Sequence, residues 1–165
     1  MLVLIEILRG GILLAFLGWG AVLAMIDVRT HRLPNRIVLP AYPIALVALG
    51  LLAVAEGDGP AFLRALLGGL VLFGAYAVLR GIRGSGLGGG DVKLAGVLGL
   101  LLGFAGWGSL LVGAASAFVA GGLYAIALLL LRRADRHTAI PFGPWMLLGA
   151  WIGLLPPLLQ GTVPL

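Results

Sequence analysis

Cysteine is absent from this chain of 165 residues, and histidine occurs only twice. Without cysteine the chain can form no disulfide, no Cys-ligated zinc site and no thiol nucleophile. The two histidines, His31 and His137, lie too far apart in sequence for a local metal motif, and we interpret both as solvated loop residues. The sequence therefore predicts neither a metal nor a cofactor.

Charged residues are also scarce. They make up 10% of the chain, whereas 61% of the residues are hydrophobic and the mean hydropathy is +1.16. Soluble domains contain about 25% charged and about 45–50% apolar residues. The composition therefore indicates an integral membrane protein surrounded by the lipid bilayer, with residues 1–165 forming a single domain.

Six apolar runs are long enough to form membrane-spanning helices if the shorter ones include flanking residues, since a span needs about 17–25 residues. None of them alternates apolar and polar residues as the strands of a membrane barrel do. The sequence therefore predicts an all-α bundle of about six transmembrane helices. The runs are Ile12–Ile26, which extends back toward Leu2, Ile37–Ala55, Phe62–Leu79, Val92–Phe104, Leu110–Leu131 and Met146–Leu159.

Basic residues concentrate in alternate loops, which indicates the topology. Nine of the eleven lie after the first, third and fifth runs, whereas the loop after the second run is acidic. The positive-inside rule then places the basic loops in the cytoplasm and both termini outside. The net charge of +5 reflects this topology, and we expect no nucleic-acid partner. The nine residues are Arg29, Arg32, Arg36, Arg80, Arg83, Lys93, Arg132, Arg133 and Arg136.

Two aspartates lie where apolar runs meet these basic loops. Asp91 follows the glycine-rich stretch that begins at Gly84, and Asp27 follows the first run. Ionisable residues at membrane depth are costly and usually mark a functional site. Because both helix ends face the predicted cytoplasmic side, we expect Asp27 and Asp91 to lie at the same depth and to form a pair.

Such a pair has a specific chemistry. Two carboxyls in a low-dielectric site do not both ionise easily, so one keeps a proton while the other remains a carboxylate. The carboxylate can activate a water molecule for attack on a peptide carbonyl, and the protonated partner can donate to the oxyanion or to the leaving nitrogen. Glycines 88–90 would let a substrate backbone approach Asp91 and would let the turn move.

Structural roles would also account for these residues. Asp91 has the sequence context of a helix N-cap, Asp27 could be an interfacial anchor, and Asp135 is interpreted as a solvated ion-pair member among arginines. The glycines Gly68, Gly69, Gly99, Gly103, Gly113, Gly121 and Gly122 are interpreted as sites of close helix packing.

Three motifs occur together: Asp27 to Asn35, Gly88 to Leu94, and Ile140 to Pro144. This combination resembles the type IV prepilin peptidase family, which are membrane aspartic proteases of the Gly-x-Gly-Asp class. The resemblance covers nearly the whole chain. It implies that Asp27 and Asp91 are the catalytic pair. The residues expected to support the substrate or the loops around them are Gly88, Gly90, Lys93, Pro34, Asn35, Pro141 and Gly143.

The resemblance also implies a substrate and a location. Family members remove the short basic leader from prepilins and pseudopilins at the cytoplasmic side of the bacterial inner membrane. Longer members carry an additional segment with paired cysteines that is associated with N-methylation, whereas this chain has no cysteine. The short form is also similar to the peptidases of Flp-type (tight-adherence) pili. The alternatives are a small transporter or channel with intramembrane acids and a non-catalytic pilus or secretion assembly protein.

Overall fold

A computed structural model describes residues 2–82, 87–131 and 141–160, with side chains up to Leu155. These residues form six helices and, within the described ranges, no strand, which confirms the all-α prediction. The helices are α1 (Leu2–Thr30), α2 (Asn35–Glu56), α3 (Gly59–Gly81), α4 (Gly89–Ala105), α5 (Trp107–Leu130) and α6 (Gly143–Gln160). Arg83, Gly84, the arginines from 132 to 136, Asp135, His137 and Ile140 lie outside the described residues.

Within the described residues, four of the six helices are long and apolar enough to cross a membrane. They are α1, α2, α3 and α5, while α4 has only 17 residues. The apolar side chains of the four long helices are largely exposed on the outside of the bundle, where the hydrocarbon of a bilayer would cover them. The chain is a multi-pass membrane protein.

Helix α4 is the centre of the bundle. It packs against α2, α3, α5 and α6, and 13 of its 17 residues are buried. By contrast, only 5 of the 29 residues of α1 are buried, so α1 lies at the periphery. Asp91 is therefore carried by the most enclosed helix, and Asp27 by one of the least enclosed.

Glycine lets α3 and α4 approach closely. A Cβ placed on Gly68 would lie 2.5 Å from the carbonyl oxygen of Gly99 and 2.9 Å from the Cα of Gly103. Gly113 makes a similar close contact between α5 and α6, where its Cβ would be 3.3 Å from the carbonyl oxygen of Gly149. The predicted packing role is therefore observed at these positions. It is wrong for Gly122, which has open space around it.

The two basic residues outside the cytoplasmic pattern have acidic neighbours at the opposite end of the bundle. Arg9 forms ion pairs of 2.8 Å with both Glu6 and Glu56, and Arg64 lies 4.0 Å from Asp58. Asp58 also N-caps α3 through a 2.9 Å bond from the Ala61 N–H. These pairings offset the positive charge locally, which accounts for two arginines on the acidic side.

Candidate active site

Asp27 lies in the last turn of α1 and points into the protein. Asp27 is only 4% exposed, and its Oδ2 accepts a 3.0 Å hydrogen bond from the backbone N–H of Gly143. Gly143 is the first residue of α6, where the first-turn N–H groups of a helix have no partner within the helix. A carboxylate is favoured at such an end, and this contact ties the end of α1 to the start of α6.

Asp91 lies in the first turn of α4 and is 8% exposed. The N-cap of this helix is Gly88, whose backbone is extended, so Asp91 is the third helical residue. Its Oδ2 accepts a 2.8 Å hydrogen bond from the Gly88 N–H, as the acidic residue of a capping box does. The interpretation of Asp91 as the N-cap itself is wrong, because the N-cap backbone conformation is found three residues earlier.

The two aspartates line one cavity of about 290 Å³. They interact electrostatically across it, and each carboxyl is held by one backbone N–H. Within the described ranges no group of three or more His, Asp or Glu side chains is placed to hold a metal ion. The cavity is lined by Asp27, His31, Arg32, Leu33, Gly88, Gly89, Gly90, Asp91, Pro141 and Phe142.

Each of the three glycines before Asp91 faces a different neighbour. A Cβ on Gly90 would lie 2.7 Å from the Cβ of Leu33, and one on Gly89 would lie 3.0 Å from Nη1 of Arg80. A Cβ on Gly88 would meet only the Asp91 side chain and the Gly90 backbone, at 3.3 Å or more. Leu33 of the chain itself therefore occupies the space that a side chain on Gly90 would take. All three glycines line the cavity, and Gly88 is the most exposed of them.

Lys93, Asn35 and Pro34 lie beside the cavity without lining it. Lys93 Nζ donates a 2.8 Å hydrogen bond to Asn35 Oδ1 at the surface. Pro34 is the N-cap of α2, and its carbonyl accepts from the N–H groups of Ile37 and Val38. These predicted support residues thus join the start of α2 to the start of α4.

The Pro141–Pro144 stretch closes the other side of the cavity. Pro141 and Phe142 line it, and the Phe142 ring packs against Tyr76 and Phe118 at centroid distances of 6.3 and 5.4 Å. Gly143 holds Asp27, and a Cβ on it would lie 2.7 Å from Asp27 Oδ2. Glycine is therefore required at position 143 for the observed position of the Asp27 carboxyl.

Sequence reasoning did not identify three residues that shape this site. Leu33 fills the space in front of Gly90, and the buried Tyr76 lies close enough to Asp91 to interact with it electrostatically. Tyr42 donates a 2.7 Å hydrogen bond to the carbonyl oxygen of Lys93. A hydroxyl inside an apolar run is a weak sequence signal for Tyr42 and Tyr76, because it needs a partner when it is buried. Leu33 has no such signal.

The sequence matches a known protein family. The pattern of the type IV leader peptidase family matches residues 14–126, a range that includes both aspartates. The chain belongs to this family. The membership agrees with the resemblance that the three motifs indicated.

Individual relatives of the leader peptidase family match over most of the chain. The prepilin leader peptidase/N-methyltransferase of Stutzerimonas stutzeri is 34% identical over 143 residues, which cover 84% of this chain and 47% of the relative. The protein of the same name from Pseudomonas aeruginosa is 33% identical with the same coverage. The one from Bacillus subtilis is 30% identical over 85% of this chain and 53% of its own length.

This family member spans about half the length of the curated relatives it matches. No solved structure matches the chain.

Proposed function

We propose that this protein is an aspartic endopeptidase that removes the leader from prepilins or pseudopilins, with Asp27 and Asp91 as its catalytic pair. One observation carries the proposal: two buried carboxyls from separate helices line the same cavity. Membership of the leader peptidase family and the names of the relatives, which include leader peptidase activity, support the choice of substrate.

The reaction needs no nucleophilic side chain. One aspartate, as a carboxylate, takes a proton from a water molecule in the cavity while the water oxygen attacks the scissile carbonyl. The other aspartate, protonated, donates its proton to the developing oxyanion or to the leaving nitrogen. Held by the Gly88 and Gly143 N–H groups, the carboxyls keep their orientation as protons move between them.

The site faces the cytoplasm of the inner membrane in this proposal. Three arginines lie around the end of α1: Arg29 in its last turn, Arg32 in the loop that follows, and Arg36 in the first turn of α2. Arg80 lies against Gly89. Basic loops are retained on the cytoplasmic side of a membrane. A substrate with a short extramembrane leader would therefore reach the aspartates from that side.

The test is cleavage of purified prepilins, including a Flp-type prepilin, by the purified protein in detergent or lipid. Asp27→Asn and Asp91→Asn retain a side-chain oxygen that can accept from Gly143 or Gly88, but they remove the titratable group. We expect both variants to fold and to lose at least about a hundredfold in cleavage rate. Mass spectrometry of the product identifies the cleaved bond.

Asp58→Asn is the matched control. Asp58 is an N-cap at the opposite end of the bundle, and asparagine caps a helix about as well as aspartate. This variant is expected to cleave like the wild type. Near wild-type cleavage by Asp27→Asn or Asp91→Asn would show that the two-aspartate mechanism is wrong.

A further inference from the structure

Two hydrogen bonds join helix α2 to Lys93, the residue two positions beyond Asp91. The Tyr42 hydroxyl donates a 2.7 Å hydrogen bond to the Lys93 carbonyl oxygen, and Lys93 Nζ donates a 2.8 Å bond to Asn35 Oδ1. A carbonyl oxygen has two lone pairs, so that of Lys93 can accept from Tyr42 in addition to its partner within the helix. Both the backbone and the side chain of Lys93 are thus bound to α2.

The approach of Tyr42 depends on a glycine in α4. A Cβ on Gly96 would overlap the Tyr42 hydroxyl and would lie 3.0 Å from Cζ of the same ring. Gly96 is one turn beyond Lys93, so it lies on the same face of α4. The absence of a side chain at position 96 is what lets the hydroxyl reach the Lys93 carbonyl.

The other contacts to the first turn of α4 are of a different kind. Leu33 packs against Gly90, and Arg80 lies against Gly89, so these neighbours limit the turn from two sides by contact. The bonds from α2 are directional and begin within the same turn as Asp91. They therefore oppose rotation and sliding of α4 relative to α2.

We propose that Tyr42 is a positioning residue for Asp91, acting through its hydrogen bond to the Lys93 carbonyl. Its role in catalysis rests on the proposed function, because it concerns the orientation of one of the two proposed catalytic carboxyls. Tyr42 does not line the aspartate cavity and acts only through α4. Loss of the bond lets the Asp91 carboxyl leave its productive position without removing any group that touches the substrate.

The first measurement compares cleavage kinetics of Tyr42→Phe with those of the wild type. We expect kcat to fall on the order of tenfold, because small displacements of a catalytic group are costly, while KM stays within about twofold. The control is Tyr124→Phe, the same change on α5, whose ring packs on Trp145 of α6. This variant is expected to retain the kinetics of the wild type. A wild-type kcat in Tyr42→Phe would overturn the proposal.

A second measurement needs no substrate. The chain has no cysteine, so Asp91→Cys and Ser109→Cys each introduce one thiol, at positions that are both 8% exposed. Adding Tyr42→Phe should speed the reaction of a small maleimide with the thiol at position 91 by about tenfold and leave that at position 109 unchanged. Equal acceleration at both positions would indicate general loosening and would overturn the proposal, as would no acceleration at either.

The two measurements separate the two proposals. If the wild type cleaves no prepilin, the proposed function fails, and the labelling rates alone decide whether Tyr42 holds the turn that carries Asp91. If the wild type cleaves and only the Tyr42→Phe effects are missing, the peptidase assignment stands and the positioning role is wrong.

Discussion

The backbone N–H of Gly143 donates a 3.0 Å hydrogen bond to Oδ2 of Asp27, although the two residues are 116 positions apart in the sequence. The same glycine leaves no room for a side chain, since a Cβ on it would lie 2.7 Å from that oxygen. The start of α6 therefore fixes the position of the Asp27 carboxyl in two ways. The Gly143 N–H binds the carboxyl, and the lack of a Cβ on Gly143 lets the carboxyl come this close.

Gly143→Ala should displace the Asp27 carboxyl and reduce cleavage by at least about tenfold, because reacting groups tolerate little misplacement. The thermal unfolding midpoint should change little, because the opposing atom is the end of the Asp27 side chain, which can move aside more easily than backbone, and because alanine is a good helix former. The matched control is Gly18→Ala on α1, where, unlike at Gly143, a Cβ would meet only open space, and this variant should cleave normally. Wild-type cleavage by Gly143→Ala would contradict the positional role of this glycine.

Gly90→Ala should be inactive or poorly folded, because the new Cβ would lie 2.7 Å from the Cβ of Leu33. The double variant Gly90→Ala/Leu33→Gly removes the opposing atom and should recover part of the lost activity. Cleavage assays and size-exclusion profiles of Gly90→Ala, Leu33→Gly and the double variant test this. If Leu33→Gly recovers nothing, the need for glycine at position 90 has another cause, such as movement of the turn.

Gly68→Ala should destabilise the protein by about 1–3 kcal/mol, the usual range for overpacking a tight core. The reason is that its Cβ would lie 2.5 Å from the Gly99 carbonyl oxygen on α4. Gly74→Ala, a matched change on the same helix, has open space and should be neutral or slightly stabilising. Thermal unfolding in a single detergent compares the two, and equal midpoints would argue against close α3–α4 packing.

Single cysteines can test the orientation of the chain in the membrane. Arg36 lies at the end of the bundle that holds Asp27 and Asp91, Gly108 lies at the opposite end, and both residues are exposed. The two variants are Arg36→Cys and Gly108→Cys. A membrane-impermeant maleimide should label the thiol at position 36 only in inside-out vesicles, and the thiol at position 108 only in right-side-out vesicles. The reverse pattern would place the site on the outer side and exclude the proposed cytoplasmic orientation.

Hydropathy and charge predicted much of the fold. Five of the six apolar runs lie within a helix, and the fifth run extends only one residue beyond α5. The alternation of basic loops placed Asp27 and Asp91 at one end of the bundle. These features are local or count-based, so a single sequence contains them. The residues named for the site also group around one cavity. Four of them lie just outside its lining: Pro34, Asn35, Lys93 and Gly143.

The contacts between helices could not be predicted in this way. The bonds from Gly143 to Asp27 and from Tyr42 to Lys93 join residues 116 and 51 positions apart. An apolar run specifies that a helix forms, but it does not specify which face meets which neighbour. The cap position of Asp91 was missed for a local reason: each of Gly88, Gly89 and Gly90 could serve as the N-cap, and only the backbone conformation distinguishes them.

Because other helices enclose α4, this helix can be shorter than a helix that faces lipid. At 17 residues it extends about 25 Å, less than the roughly 30 Å thickness of a bilayer hydrocarbon core. A lipid-facing helix of this length would suffer hydrophobic mismatch. Because neighbouring helices rather than lipid surround α4, its ends need not coincide with the membrane surfaces, and the depth of Asp91 is set by its protein neighbours instead of by bilayer thickness.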